Sequence, residues 1–128
     1  MTLSFTKMHG NGNDFMIFQD RVPLILSKKQ INQMSNRKTG IGFDQLIIVS
    51  TSGSSKSDFN IHFRNSDGSF ANMCMNGLRC VAKFIWDKKL APKDNILKLE
   101  TKKMILKARS LSNNNCLLYT SPSPRDAT

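Results

Sequence analysis

Four polar segments of this chain carry the side chains that are suited to chemistry. Residues 9–14 (HGNGND) and 40–45 (GIGFDQ) combine glycines with amides and carboxylates, and residues 65–69 (NSDGS) form a strong turn signal. Residues 73–80 (MCMNGLRC) follow shortly afterwards. Amide side chains recognise carboxylate and ammonium groups without adding net charge, which suits a small zwitterionic ligand. We therefore expect these segments to meet at one edge of a sheet and to form a polar binding site.

Cys74 is the candidate base or nucleophile. It lies where a helical pattern begins, and the backbone N–H groups and the dipole of a helix start favour a thiolate. A thiolate at that position can accept a proton or attack a substrate. A free cysteine taken alone is more often a small buried hydrophobic side chain. From the residue itself, both interpretations of Cys74 stay open.

Other chemistry has little support in the residues. His9 is a candidate base, although a loop histidine beside glycine is more often structural. Cys80 lies six residues after Cys74, which does not match the spacing of a zinc site. Glu100 is the only glutamate of the chain, so a catalytic carboxylate pair would need aspartates. Nucleophile-elbow, phosphate-loop and zinc-protease motifs are absent from the sequence.

Apolar periodicity predicts the strands that must position these segments. Alternating or continuous apolar residues predict strands at residues 3–7, 15–18, 46–49, 59–63, 96–100 and 104–108. The last two form a predicted hairpin. Residues 9–14 are predicted to be a loop, and the Ser/Gly-rich residues 50–57 a surface connection.

Two helices complete the predicted domain. Ser27 is a predicted N-cap for a helix that turns Ile31 and Met34 inward and ends before Gly40. After Cys74 the apolar period becomes helical, and this second helix is predicted to be the core helix of the domain. Its inward residues are Leu78, Val81, Ala82 and Ile85. The order of elements predicts an α/β (α+β) fold in which a mixed sheet wraps around a central helix.

Length and composition restrict the class of protein. A chain of 128 residues with 39% hydrophobic content allows one domain with one core. No apolar run approaches the roughly 18 residues of a membrane span, and the N-terminus lacks the features of a secretory signal. Three cysteines are an odd number and too few for a disulfide scaffold. These features predict a reduced, cytoplasmic chain.

The net charge of +10 leaves an alternative function to be weighed. Ten basic and three acidic residues lie between Arg79 and Arg109, so much of the excess is in that stretch. The lysines are scattered at amphipathic spacing, without a compact basic block or interleaved aromatic residues. This pattern favours a solvated lysine-rich face over a nucleic-acid footprint. A small basic nucleic-acid-binding module is the alternative.

Four motifs together resemble those of the diaminopimelate epimerase family. Residues 7–15 (KMHGNGNDF) are similar to that family's K-M-H-G-x-G-N-D-F, and residues 40–45 to its G-I-G-x-D-Q loop. Residues 65–69 match its N-x-D-G-S turn, and residues 73–80 resemble M-C-G-N-G-x-R-C at the start of its first catalytic helix. The motifs occur in the family's order. The resemblance extends from about Ser4 to Asn115.

The resemblance implies a fold and an activity. The family has two pseudo-symmetric α/β domains with the substrate in the cleft between them, and it uses no cofactor or metal. It interconverts LL- and meso-diaminopimelate in lysine biosynthesis by proton transfer between two cysteines, one from each domain. Inversion needs acid–base groups on both faces of the α-carbon. The implied partner is a small-molecule substrate, and no nucleic-acid or membrane partner is expected. A homodimer is one possible state of the full-length protein.

The resemblance also assigns roles to residues of this chain. Cys74 is implied to be the acid–base group of the first domain. The backbone at the helix start is implied to bind the carboxylate of the reacting centre and to stabilise charge as the carbanion forms. The residues implied to bind substrate are Asn13, Gln45, Asn65, Met75 and Asn76.

Two departures from the family pattern lead to further expectations. Met75 stands where the family has a glycine that lets substrate approach the backbone and favours unusual backbone conformations. Reduced activity is therefore expected, and a non-catalytic remnant of the fold is an alternative. After Asn115 the chain no longer resembles the family, and Cys116 lacks the context of a second catalytic cysteine. We expect an epimerase-like domain over residues 1–115, an unrelated disordered or artefactual tail over residues 116–128, a missing second domain, and no activity of this chain alone.

Overall fold

Seven strands and two helices form the described part of the chain. The computed structural model describes residues 5–10, 12–20, 26–111 and 115–120. Within these ranges the elements are β1 (Phe5–Gly10), β2 (Asn13–Asp20), α1 (Lys28–Ser35), β3 (Gln45–Thr51), β4 (Phe59–Asn65), α2 (Met75–Asp87), β5 (Leu97–Glu100), β6 (Ile105–Ser110) and β7 (Cys116–Thr120).

The seven strands form one mixed sheet in chain order from β1 to β7. Its neighbours are antiparallel except for two parallel pairs, β2 with β3 and β4 with β5. Parallel neighbours need a crossover connection, and α1 and α2 lie in those two connections. Helix α2 contacts both β1 and β7, the strands at opposite edges of the sheet. The sheet therefore curls around α2, which confirms the predicted fold class.

The central strands separate two hydrophobic clusters, because successive side chains of a strand point to opposite faces. We call the side covered by the core helix the α2 face; there Phe15, Ile47 and Phe63 pack in the larger cluster with α2. We call the other side the α1 face; there Met16 and Leu46 pack with α1. Odd-numbered residues of β2, β3 and β4 thus face α2, and even-numbered residues face α1.

Both helices form where the sequence predicts them. Ser27 caps α1 in a capping box: its Oγ accepts from Gln30 N–H at 3.1 Å, and Gln30 Oε1 accepts from Ser27 N–H at 2.9 Å. Ile31 is fully buried, and the helix ends at Ser35, before Gly40. In α2 the four predicted inward residues, Leu78, Val81, Ala82 and Ile85, are all buried.

Gly77 brings the first turn of α2 close to the sheet. A Cβ at this position would lie 3.0 Å from both Ile47 Cδ1 and Phe63 Cε1 and 3.3 Å from Phe15 Cε1. Real Cβ atoms rarely approach so closely. The absence of a side chain therefore lets the start of α2 sit directly on β2, β3 and β4.

Two predictions about connections are wrong in part. The predicted loop at residues 9–14 is mostly strand, because Gly10 pairs with Asn13 across an antiparallel hairpin. Backbone hydrogen bonds suffice for such a ladder, so the polar side chains there do not prevent it. Ser50, in the predicted surface connection, belongs instead to β3, where it is buried. Residues 3 and 4, at the start of the first predicted strand, lie outside the described residues.

The expectation of an irregular tail is wrong for the first five residues after Asn115. Cys116–Thr120 form β7, which pairs antiparallel with β6 from Leu106–Thr120 to Ser110–Cys116. Leu118 is buried in the cluster of the α2 face. The alternation is weak because β7 is at the edge of the sheet, and this hid the strand in the sequence. Residues 121–128 lie outside the described residues.

No helix within the described ranges is long and apolar enough to cross a membrane.

Candidate active site

Three neutral amides lie at one end of the sheet, on the α2 face. We call Asn13, Gln45 and Asn65 the amide cluster. Asn13 begins β2, Gln45 begins β3, and Asn65 ends the antiparallel β4, where Gln45 and Asn65 are register partners. Each lies two residues along its strand from a side chain that packs against Gly77, namely Phe15, Ile47 and Phe63 respectively. The cluster therefore lies beside the first turn of α2.

Gln45 and Asn65 are hydrogen-bonded to each other, but one acceptor remains unused. Gln45 Nε2 donates to Asn65 Oδ1 at 3.3 Å, and Asn65 Nδ2 donates to Ser69 Oγ at 3.0 Å. Gln45 Oε1 is buried and has no hydrogen-bond partner among the described residues. A buried acceptor without a donor costs roughly 1–3 kcal/mol. An ammonium or another N–H group of a ligand would satisfy it.

Cys74 is the N-cap of α2. Its backbone is extended, with φ −118° and ψ 121°, and its side chain makes no capping hydrogen bond. Its carbonyl accepts the first helical hydrogen bond, from Leu78 N–H at 2.9 Å. The first N–H groups of a helix have no intrahelical acceptor and carry a partial positive charge. A half-buried thiol thus adjoins a site suited to a carboxylate.

Met75 and Asn76 are the first two residues of α2. Among the described residues only Lys89 combines a side chain with a positive φ, so Met75 has an ordinary helical backbone. The unusual conformation suggested by a family glycine at this position is therefore not required. Met75 is 39% exposed, so its side chain adds bulk at the helix start.

The other two cysteines occupy different surroundings. Cys80 is buried in the α2-face cluster, and its Sγ donates to the carbonyl of His9 at 3.6 Å. Burial raises the pKa of the Cys80 thiol, and nearby Cys74 and Cys116 raise it further. Cys116 lies in β7, where its carbonyl accepts from Arg79 Nη1 at 3.1 Å. His9 is an exposed residue of strand β1 rather than of a loop.

A charged group lies behind the amide cluster, on the α1 side. We call Asp14, Arg37 and Asp44 the ion network. Arg37 forks onto both carboxylate oxygens of Asp14, at 2.8 and 2.9 Å, and also donates to Asp44 Oδ1 at 3.1 Å. Lys7 Nζ adds a 3.5 Å ion pair to Asp14. Asp14 is buried, so a paired positive charge is needed to keep it ionised.

The ion network shifts the pKa values of its members in the directions expected of an ion pair. The Arg37 guanidinium holds the pKa of Asp14 well below its usual range, against the opposing effect of burial; hydrogen bonds from Asp44 lower it further. In turn, Asp14 raises the pKa of Arg37. Both groups stay charged over the whole physiological range.

A buried arginine holds the turn after β4. Arg64 lies on the α1 face, where its Nε and Nη2 donate to the carbonyl of Gly68 at 3.0 and 2.6 Å. Its Nη1 donates to the carbonyl of Leu26 at 3.2 Å, and the guanidinium lies 4.4 Å from the centre of the Phe70 ring. Gly68, at φ +87°, completes the turn that places Asn65 and Ser69.

A groove of about 540 Å³ lies between β1, α2 and β7, apart from the amide cluster. Its lining includes Asn76, Cys80, Trp86 and several basic side chains, among them Arg79 and Lys83. Neither Cys74 nor the amide cluster lines it. Burial disfavours the thiolate form of Cys80, the cysteine of α2 that lines this groove. No three His, Cys, Asp or Glu side chains in the described part of the chain are grouped to hold a metal ion.

The sequence analysis identified neither the ion network nor the buried Arg64. Arg37 is 23 residues from Asp14 and seven from Asp44, so no local pattern joins them. Strand parity was an available signal: Asn13 and Asp14, or Asp44 and Gln45, are neighbours that must point to opposite faces. Arg64 was overlooked because a single arginine in a strand is ordinarily exposed.

Comparisons with known proteins agree on the family and the fold. A family model described as diaminopimelate epimerase matches residues 5–121. Diaminopimelate epimerase of Ectopseudomonas mendocina (strain ymp) is 41% identical over 130 aligned residues, which cover 98% of this chain and 45% of that protein. That of Pseudomonas entomophila (strain L48) is 47% identical over 104 residues, covering 80% of this chain and 37% of the relative.

A solved structure with low sequence identity supports the fold alone. A methylitaconate-delta-isomerase crystal structure is similar with a TM-score of 0.70 at 12% identity, covering 94% of this chain and 38% of that one. The chain spans less than half the length of the curated relatives that it matches.

Proposed function

The chain belongs to the diaminopimelate epimerase family, and we propose that it binds diaminopimelate and supplies Cys74 as one of two acid–base thiols. The observation that carries this proposal is the meeting of the amide cluster with the N-terminus of α2, where Cys74 is the cap. The reaction proposed is the interconversion of LL- and meso-diaminopimelate in lysine biosynthesis.

The amide cluster suits a zwitterionic ligand. Diaminopimelate carries one carboxylate and one ammonium group on each of its two α-carbons, so a site of fixed charge would attract one of these groups and repel its neighbour. Neutral amides offer both donors and acceptors. We assign the buried Gln45 Oε1 to an ammonium group, and the remaining amide groups of Asn13 and Asn65 to the ligand's other polar atoms.

The start of α2 suits the reacting centre. Backbone N–H groups at a helix N-terminus bind a carboxylate, and they stabilise the negative charge that spreads onto it when the α-proton leaves. In one direction the Cys74 thiolate removes the α-proton, so that the S–H bond forms as the C–H bond breaks. In the other direction the Cys74 thiol returns that proton.

Inversion requires a second proton donor on the opposite face of the α-carbon. Among the described residues the other two thiols are poor candidates, since Cys80 is buried against β1 and Cys116 lies in strand β7. All three cysteines of the chain lie among the described residues, so we assign the second acid–base thiol to polypeptide other than these 128 residues. The chain alone is then expected to bind diaminopimelate without inverting it. Clear α-proton exchange with inversion in D₂O by the purified chain would contradict this part of the proposal.

Met75 is expected to weaken binding at the helix start. Its side chain occupies a position where glycine would leave the backbone N–H groups open to a carboxylate. Met75→Gly is therefore expected to increase affinity for diaminopimelate, with some loss of helix stability of about 1 kcal/mol. A calorimetric titration and a thermal melt of the same samples separate the two effects.

The proposal is tested by titrating the ¹⁵N-labelled chain with meso-diaminopimelate. The expected result is a saturable shift of the side-chain amides of Gln45 and Asn65 and of the backbone amides of residues 75–77. Gln33→Met, an exposed change on α1, is the matched control and is expected to bind like the wild type. Shifts confined to the groove at Trp86, or no saturable shift, would contradict the proposed site.

A further inference from the structure

The ion network joins two backbone positions that immediately adjoin the amide cluster. Asp14 follows Asn13, and Asp44 precedes Gln45. Asp14 N–H donates to Asp44 Oδ2 at 3.0 Å. Asp44 N–H donates to Asp14 Oδ1 at 2.9 Å and to the Asp14 carbonyl at 3.0 Å. Each aspartate therefore binds the backbone of the other.

These hydrogen bonds act where the sheet ladder stops. The parallel pairing of β2 with β3 begins at Phe15 and Gln45. Asn13 and Asp14 therefore lie beyond the first rung of that ladder, and β3 gives them no regular hydrogen bonds. The reciprocal Asp14–Asp44 contacts extend the connection between the two strands by a further residue on each side.

Arg37 holds the two carboxylates together. Two carboxylates in reach of each other's backbone would repel if nothing lay between them. Arg37 donates to both, with its forked contact on Asp14. A fork fixes the plane of a carboxylate as well as its distance, which a lysine at the same place does not do.

We propose that Asp14, Asp44 and Arg37 are positioning residues that set the spacing of Asn13 and Gln45 for the ligand. This role rests on the function proposed above, since the amides must bind a ligand for their spacing to matter. The three residues face away from the amide cluster and act through the backbone. Misplacing a binding group by about 1 Å can cost 10²-fold in rate, so such support has a measurable effect.

A purely stabilising role predicts a different pattern. Arg37 follows α1, so the ion network also ties α1 to the sheet, and any loss there lowers stability. Ser27→Ala removes the capping box of the same helix without touching the ion network. It is therefore the matched control: a comparable loss of stability on the same face, at a site remote from Asn13 and Gln45.

The test measures ligand affinity, thermal stability and side-chain amide resonances in the 128-residue chain. Asp14→Asn keeps the shape of the side chain and one acceptor oxygen but removes the negative charge that pairs with Arg37. It is expected to shift the Gln45 side-chain resonance. It is also expected to weaken meso-diaminopimelate binding about tenfold, which is smaller than the roughly 10²-fold loss of rate that a 1 Å displacement can cause. Arg37→Lys is expected to recover part of the stability but little of the affinity. Ser27→Ala is expected to lower stability with unchanged affinity and unchanged Gln45 resonance.

Two outcomes decide against the positioning role. Asp14→Asn with wild-type affinity and an unmoved Gln45 resonance would overturn it, as would equal losses of affinity in Asp14→Asn and Ser27→Ala. Failure of the wild-type chain to bind diaminopimelate would instead count against the proposed function. The positioning role is then judged on the Gln45 resonance, which is expected to move in Asp14→Asn and not in Ser27→Ala.

Discussion

The two faces of the same strand ends carry opposite kinds of polar group. The charged groups on the α1 side have partners within the fold. Arg37 donates hydrogen bonds to both Asp14 and Asp44, and Arg64 donates to backbone carbonyls. On the α2 face lie neutral amides, one of which keeps a buried acceptor without a donor. Permanent charges thus stand where their partners are part of the fold. The neutral amides of the amide cluster lie where a zwitterionic ligand would supply the charges.

This difference predicts that substitutions on the two faces have separable effects. Changes on the α1 side should lower stability, and they should alter ligand binding only through the backbone. Changes within the amide cluster should alter ligand binding at little cost in stability. The following substitutions test this separation, from the largest expected effect on stability to the smallest.

Arg64→Met should give the largest loss of stability. It removes the donors for the carbonyls of Gly68 and Leu26 from a buried position, and it frees the turn at residues 65–69. We expect about 2–4 kcal/mol lower free energy of unfolding, measured by urea denaturation. Lys83→Met is the control, because its ion pair with Asp87 is exposed and should contribute little. Equal effects of the two substitutions would contradict the stabilising role of the buried Arg64 contacts.

Gly77→Ala should cause the next largest loss of stability, and it should also affect ligand binding. The new methyl would lie 3.0 Å from Ile47 Cδ1 and Phe63 Cε1, so these side chains or the start of α2 must shift by a few tenths of an ångström. We expect a loss of about 1–3 kcal/mol in thermal or urea unfolding, together with weaker ligand binding. Gly53→Ala has open space around its Cβ and should be neutral or slightly stabilising. A neutral Gly77→Ala would contradict the close packing of α2 described above.

Asp14→Asn should lower stability by about 1–2 kcal/mol at neutral pH and should flatten the acid dependence of stability. In the folded chain the hydrogen bond from Arg37 keeps the pKa of Asp14 below its ordinary value of 3.8. The unfolded chain therefore binds a proton at this site first, and stability falls as the pH drops below about 4. Unfolding curves between about pH 6 and about pH 3 measure this slope. An unchanged slope in the variant would show that Asp14 does not carry the effect.

Gln45→Met should have the smallest effect on stability and the clearest effect on binding. The substitution removes a buried acceptor that has no donor, and it also removes the 3.3 Å hydrogen bond from Gln45 Nε2 to Asn65 Oδ1. These two effects oppose each other, so we expect unfolding to change by less than about 1 kcal/mol, in either direction. Affinity for diaminopimelate should nevertheless fall by tenfold or more, about 1.4 kcal/mol. Gln33→Met serves again as the exposed control. A large loss of stability with retained affinity would reverse the assignment of the α2 face to the ligand.

Much of the fold was predictable from periodicity. The buried residues of α2 repeat at helical spacing, and Ser27 with Gln30 is a recognisable capping box, so both helices could be placed. The strand β7 could not, since it is an edge strand with only Leu118 buried. The hairpin of β1 and β2 was missed because its residues pair through the backbone while their side chains are polar.

The candidate site was predictable only in part. The family resemblance identified the amide cluster and Cys74. The predicted strands, residues 15–18, 46–49 and 59–63, stop short of Asn13, Gln45 and Asn65, so the parity of these three residues was not used to place them on one face. The ion network depends on Arg37 returning to two strand ends after α1, which is a tertiary contact. The environment of Cys80 likewise follows from packing against β1 and from no local pattern.

The most direct test of the central claim is the alkylation of Cys74 with and without diaminopimelate, followed by peptide mass spectrometry. Cys74 is half-buried at a helix start, while burial raises the pKa of Cys80, so iodoacetamide should modify Cys74 much faster. Saturating meso-diaminopimelate should protect Cys74 and leave the rate at Cys116 unchanged. Faster modification of Cys80, or a Cys74 rate that the ligand does not alter, would contradict the placement of the reacting carbon beside Cys74.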